Sequence, residues 1–277
     1  MSRLAIIRGV VTDCFPNVGL WLVQFLANPI LFALFVAWLL LPVANSWHLV
    51  LNFLLILVLL VAIFVLHAGT LNYFSERQSS ASVPLWPAFR RALKHLAAVT
   101  ICVFLFYLLW LFADKLETYQ DNFSAYMRSL FPAFLRRHIQ LPALDILYGV
   151  VLFAIRWILF PGVLLPFALQ VAGHGFRGFG RQGRAAWKKA VSSLSYWLVL
   201  LVAALLGVWA TDAFMGWTPD FRTSTFGHEA VSLGFRLFFA YVFGLFAWIL
   251  ACSAVGRHGI SVSVGASTTD VPGNPAA

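Results

Sequence analysis

Six apolar stretches separated by short polar segments dominate the chain: Val18 to Leu41, Leu49 to Leu66, Leu96 to Ala113, Tyr148 to Leu169, Leu194 to Ala210 and Leu237 to Val255. Five of them contain no charged residue. Roughly 20 helical residues, rising about 1.5 Å each, cross a hydrocarbon core of about 30 Å, so each stretch predicts a transmembrane helix, the shorter ones borrowing flanking residues. Strands of an outer-membrane barrel would alternate lipid-facing and lumen-facing residues over about ten positions, and these continuous runs do not. The expected fold is all-α: a polytopic integral membrane protein with about six transmembrane helices. Residues 1–258 form a single transmembrane domain, and 259–277, small and polar with Pro and Gly, form a disordered cytoplasmic tail.

Composition agrees with lipid as the solvent. The 277 residues are 61% hydrophobic and 10% charged, where a soluble domain carries about 25% charge, so an ordinary soluble fold is excluded. Trp21, Trp47, Trp86, Trp187 and Trp217 lie near predicted helix ends, where amphipathic rings gather at the membrane interface. Cys14, Cys102 and Cys252 are widely spaced and odd in number; they read as small apolar residues rather than a disulfide or metal framework. The first stretch, 24 residues long, far exceeds the apolar region of about 7 to 15 residues in a cleaved signal peptide, and it is expected to remain as the first span.

Charge changes the picture by giving an orientation. The segments before the first span, after the second, after the fourth and after the sixth hold twelve Lys and Arg, and the intervening segments hold six. The positive-inside bias therefore places both termini on the cytoplasmic side of a cell membrane. The longest outside segment, Asp114 to Leu141, carries apolar residues at spacings of three and four, which predicts a short interfacial helix interrupted by Pro132. Most of the basic residues sit in short loops beside spans, so the +9 formal charge points to anionic lipid headgroups, and no nucleic-acid partner is expected.

Two of the basic segments resemble each other. Phe89-Arg90-Arg91-Ala92-Leu93-Lys94 recurs 98 residues later as Trp187-Lys188-Lys189-Ala190-Val191-Ser192. In a helix, Phe89 and Leu93 fall on one side and Arg90, Arg91 and Lys94 largely on the other, so each segment predicts a basic amphipathic interfacial helix leading into a span. Spans two and four also leave the membrane alike, through Ala68-Gly69 and Ala172-Gly173. A unit of lead-in helix plus hairpin thus occurs twice, and a weaker copy around Ile7-Arg8-Gly9-Val10 makes a possible threefold hairpin repeat. This layout resembles the six-helix bacterial membrane proteins that include the membrane domain of glycerophosphoryl diester phosphodiesterases. The resemblance is one of pattern over residues 1–258, and it implies a membrane scaffold or a partner for a catalytic protein, with no catalytic residue transferred.

Candidate chemistry is sparse. The chain has no nucleophile elbow, Walker loop or HExxH motif, and no pair of metal ligands four apart on a span; no cofactor, metal or catalytic residue is assigned. Candidate anionic-lipid contacts are Arg90, Arg91, Lys94, Arg177, Arg181, Arg184, Lys188 and Lys189, the middle three in a glycine-rich loop expected to be flexible. A candidate intramembrane polar site comprises Arg156, Asn28 and Gln24. Gln24 and Asn28 share a helix face beside Pro29 and read either as an interhelical hydrogen-bond clamp or as the lining of a polar cavity. Arg156 stands about 12 Å and 20 Å from the ends of its span. It either snorkels to the outer headgroups or faces a wet cavity, with Asp145 on the same face as a distant counter-charge. His67 and His48, at opposite ends of span two, share no site. Two functions stay open: a membrane scaffold or accessory protein contacting anionic lipid, with a possible protein partner, or a transporter or lipid-handling permease for an anionic or amphipathic solute.

Topology is checked directly: reporters fused after Glu117 and Asp220 should read as outside, and reporters fused after Lys94 and Lys188 as cytoplasmic. A cytoplasmic reading at either of the first two positions overturns the charge argument.

Overall fold

The computed structural model of the protein describes residues 3–15, 17–42, 45–78, 83–132, 134, 140–217 and 226–259, and their regular structure is entirely helical. Helix α1 (Arg3–Cys14) precedes α2 (Val18–Leu39) and α3 (Ser46–Arg77); α4 (Leu85–Lys94) leads into α5 (Leu96–Glu117), followed by α6 (Gln120–Leu130). Helix α7 (Leu141–Phe153) continues through a π-helical turn (Ala154–Leu159) into α8 (Phe160–His174). A 3-10 turn (Gly175–Phe179) and α9 (Arg181–Val191) then precede α10 (Leu194–Ala204), which a second π-helical turn (Leu205–Ala210) joins to α11 (Thr211–Gly216), and α12 (Phe226–Gly259) follows. Six helices are long and apolar enough to cross a membrane: Val18–Leu39, Ser46–Arg77, Leu96–Glu117, Leu141–Phe179, Leu194–Gly216 and Gly227–His258. The chain is an all-α polytopic membrane protein, and Leu22, Phe32, Leu40, Phe53 and Val58 expose more than half of their surface, as lipid-facing side chains do.

The helices outrun the apolar stretches, and burial explains where. The second stretch ends at Leu66, yet α3 runs on to Arg77 with Ala68, Thr70, Asn72, Tyr73 and Phe74 all buried. Helix α4 packs along that extension, so small and polar residues are covered by protein where lipid ends. The same arrangement recurs: α9 packs on the end of the fourth span, and α1 packs on α12. Each lead-in helix covers the end of the preceding even-numbered span, and the first closes the circle against the sixth. Val10, Ala92 and Ala190, which follow Arg8, Arg91 and Lys189 in the three lead-ins, are each at most 1% exposed, and Arg90, Lys94, Lys188 and Lys189 are exposed.

Glycine makes these contacts possible. A Cβ on Gly69 would run into the Phe89 ring, and one on Gly256 would sit 2.7 Å from the Phe74 carbonyl oxygen. Gly256, at the end of the sixth span, thus sets the approach of α12 to α3, as Gly69 sets that of α4 to α3. Polar groups lock the same seams. Asn72 Nδ2 donates to the carbonyls of Ala88 (3.3 Å) and Ala172 (3.1 Å), tying α3 to α4 and α8. Ser253 Oγ donates to Val10 O at 2.9 Å, and Arg257 pairs with Asp13 at 2.9 Å. Cys14, buried in α1 with its thiol pushed up to about 11 by desolvation, behaves as the small apolar residue expected of it.

The glycine-rich loop departs from expectation. Instead of a flexible tract, Gly175–Phe179 is a 3-10 turn packed back on α8. Gly175 takes φ +63°, which favours glycine, and a Cβ on Gly178 would sit 2.6 Å from the backbone of Gln170 and Val171. On the opposite side, α6 stops at Leu130 because Phe131, extended at ψ 143°, precedes Pro132. The predicted tail beyond residue 259 lies outside the described residues, as do 135–139 and 218–225.

The glycine contact is testable in detergent. Gly256→Val should destabilise the fold by about 1–3 kcal/mol, because rigid backbone blocks the added carbons, whereas Gly244→Ala, with nothing within 4 Å, should be neutral or stabilise by up to about 1 kcal/mol. Thermal unfolding followed by size exclusion checks both; equal effects would remove the close-approach argument.

Candidate functional site

The polar residues expected inside the membrane fall into two networks. In the first, Gln24, fully buried, donates from Nε2 to Thr70 Oγ1 at 2.5 Å, and Asn28 Nδ2 donates to Gln24 Oε1 at 2.8 Å and to Gln24 O at 2.9 Å. Tyr241 completes it from the sixth span, its hydroxyl lying 2.9 Å from Phe25 O and 3.1 Å from Gln24 O. The reason is Pro29. It has no N–H to give the carbonyl four residues back, which is that of Phe25, and an unpaired carbonyl is costly where no water can reach it. Tyr241 supplies the missing donor. Tyr196 repeats the device for the fourth span: Pro166 leaves Gly162 O without its helical donor, and the Tyr196 hydroxyl donates there at 3.0 Å.

Arg156 belongs to the second network, at the far end of the third and fourth spans. Its guanidinium pairs with Glu117 at 3.0 Å and Asp114 at 3.5 Å, and lies 4.8 Å from the centroid of Trp110. The third span was expected to end at Ala113, but α5 runs to Glu117, and that extra turn brings two carboxylates within reach; they, not Asp145, are the counter-charges. Arg156 is 15% exposed and the acids 66% and 53%, so the arginine reaches outward from a drier position to wetter partners. Exposed pairs of this kind contribute about 0.2–1 kcal/mol, with about 0.5–1 more from the ring. The hydrogen bonds thus separate Arg156 from Gln24 and Asn28 rather than gathering the three into one site.

Two arrangements were missed by sequence reasoning. His258 Nε2 lies 3.0 Å from Ser195 Oγ, and its Nδ1 lies 2.9 Å from Ala254 O. This is nucleophile-to-base spacing, but Ser195 also bonds Ser193 at 2.9 Å and both partners are buried. The group ties the start of α10 to the end of α12. The other is a cavity of about 270 Å³ between spans two, three and four, with Trp248 of the sixth span in its wall. His67, read from sequence as an isolated interfacial residue, lines it and packs edge-on to Trp248 at 5.0 Å. His67 Nδ1 and Trp248 Nε1 are buried without hydrogen-bond partners, a cost of roughly 1–3 kcal/mol each. The walls otherwise comprise apolar side chains and Cys102. Among the described residues, no three His, Cys, Asp or Glu side chains gather as metal ligands.

The basic residues form the last candidate. Arg90, Lys94, Arg177, Arg181, Arg184, Lys188 and Lys189 are all exposed, on α4, the 3-10 turn and α9. Arg91 is exposed as well, and it pairs with Glu76 at 2.8 Å and so fastens α4 to α3.

Removing the Tyr241 hydroxyl should expose the proline device. Tyr241→Phe is expected to cost about 0.6–2 kcal/mol, the worth of an intramembrane hydrogen bond, and Pro29→Ala should restore most of it by returning the N–H to Phe25 O. Unfolding of the single and double variants in detergent gives the coupling, and additive effects would refute the pairing. In comparisons with known proteins, the chain matches no protein-family profile, no curated protein and no solved structure.

Proposed function

We propose that the protein is a membrane scaffold or accessory protein whose basic end grips anionic lipid headgroups at the cytoplasmic face of a bacterial inner membrane. The observation that carries this reading is the exposure of seven Lys and Arg on three elements that all pack at the same ends of spans two and four. Ala88, Phe89, Ala92, Ala186 and Ala190 of these elements are buried, while the charges, with Leu93 and Phe176, are exposed, toward the region where phosphates lie. Each basic group near an anionic surface contributes about 1 kcal/mol, screened within a Debye length of roughly 8 Å at physiological salt. The intramembrane polar residues support the same view: Gln24, Thr70, Tyr241 and Arg156 are hydrogen-bonded or ion-paired to neighbouring helices, and Asn28 to Gln24 of its own helix, rather than left free for a solute. The pattern resemblance to membrane domains that accompany a separate catalytic domain fits an accessory role with a protein partner.

A second reading, a lipid-handling permease for an anionic or amphipathic solute, is favoured by the cavity beside His67 and by the proline-broken first and fourth spans. Flux of candidate solutes into proteoliposomes would favour it over a scaffold.

Changing Arg90, Lys94, Arg184 and Lys188 together to Gln should weaken binding of labelled phosphatidylglycerol to the purified protein by at least about tenfold, since four contributions of roughly 1 kcal/mol are lost before screening. The wild-type affinity should fall with added salt. Unchanged affinity in the fourfold variant would leave these residues as topology signals alone.

A further inference from the structure

We infer that the cavity between spans two, three and four holds one acyl chain of an anionic phospholipid whose phosphate rests at Lys94 and Arg177. This deepens the reading of the basic end as an anionic-lipid surface and rests on it. The first support is the lining. No residue of the wall carries a carboxylate, guanidinium or ammonium group, and most of the wall is aliphatic or aromatic, which suits a hydrocarbon chain and excludes a charged solute. At about 270 Å³ the space is near the lower end, roughly 300 Å³, of pockets that hold small molecules. It accommodates part of one chain, and Val103 in its wall is 38% exposed, so lipid can reach it from the side.

The second support is continuity with charge. Lys94 ends α4 with only His95 between it and α5, and Val99 and Phe106, both in the wall, stand about 4.5 Å and 15 Å along α5 from Leu96 at 1.5 Å per residue. A chain descending from a phosphate at Lys94 therefore runs along the cavity face of α5. From the other wall, α8 rises past Ala168 to the 3-10 turn that carries Arg177, and this turn packs on α5. The His95 ring lies against Gly175, where any Cβ would sit 2.6 Å from Nδ1, so Lys94 and Arg177 flank one junction, and both are exposed. An apolar slot between the spans and two exposed cations on either side of the His95–Gly175 contact match the two halves of an anionic phospholipid.

The test uses the full-length protein in nanodiscs of phosphatidylcholine containing a small fraction of phosphatidylglycerol with a diazirine in one acyl chain, with cross-links mapped by peptide mass spectrometry. Cross-links should concentrate on segments 99–106 and 161–168 over the lipid-facing segment 49–57. Ala168→Phe, which fills the cavity, and Val103→Trp, an exposed position whose larger side chain blocks the side opening without burdening the fold, should each lower that labelling about tenfold, equivalent to roughly 1.4 kcal/mol. Lys94→Gln with Arg177→Gln should lower it similarly, and a phosphatidylcholine probe with the same chain should label only at background. Labelling that persists in Val103→Trp, or that is equal for the two headgroups, would overturn the inference. Total phosphatidylglycerol binding, measured in parallel, separates the two readings. If it survives while the cavity is unlabelled, the chain site fails and the basic surface stands; if the charge variants change neither quantity, both fail.

Discussion

The arrangement of the molecule depends on how closely another part of the chain can approach the ends of the even-numbered spans. A helix longer than the bilayer is thick brings its last turns out of lipid, where their apolar and small residues need another cover. Here the cover is a short helix laid across each end, and α4 can lie low only because span two presents Gly69 to Phe89, while the extended ends of spans two and six approach each other through Gly256 against Phe74 O. A methyl group at Gly69 would lift α4 and break the hydrogen bond from Asn72 to Ala88 O. The outward direction of the basic side chains is a by-product of that docking, since the small residues of each short helix are turned inward.

Inside the membrane the governing constraint is the unpaired carbonyl. Proline bends spans one and four, and each bend leaves a backbone oxygen without its usual donor in a medium that offers no substitute. The fold places a tyrosine from a neighbouring helix at each: Tyr241 at Phe25 and Tyr196 at Gly162. Polar side chains in the spans therefore act mainly as fasteners. Arg156 follows the same logic with charge, held between an aromatic ring and two acids nearer the surface. His67 and Trp248 each leave a buried nitrogen without a partner beside a mostly apolar cavity.

The number and type of helices were legible because hydropathy registers what faces lipid, and in five of the six spans the apolar run is uninterrupted. The ends were not, since residues such as Thr70, Asn72 and Ser253 are covered by protein and carry no hydropathy signal. The repeat was visible in Phe89-Arg90-Arg91-Ala92 and Trp187-Lys188-Lys189-Ala190, where aromatic and basic residues mark it. Its third copy was faint: α1 has glycine where the others have a second basic residue, and only the buried Val10 and the bonds of Ser253 and Arg257 to α1 reveal the match. For the site, a proline four residues after a carbonyl is a signal that a donor is needed, but not which helix will bring it; Tyr241 lies 216 residues from Phe25. The cavity had no signature at all, being made of ordinary apolar residues that fail to meet.

The closing of α1 against α12 has a consequence for biogenesis. Ser253 and Arg257 reach back to Val10 and Asp13 across 243 and 244 residues. At about 5–20 residues per second of synthesis, the first short helix waits roughly 12–50 s for the surface that will cover it. During that interval it has the membrane surface as its resting place, and the hairpins of the second and third units are inserted beside it. The seam can therefore close only after α12 has been made, so its assembly waits on the pairing of segments 243 residues apart.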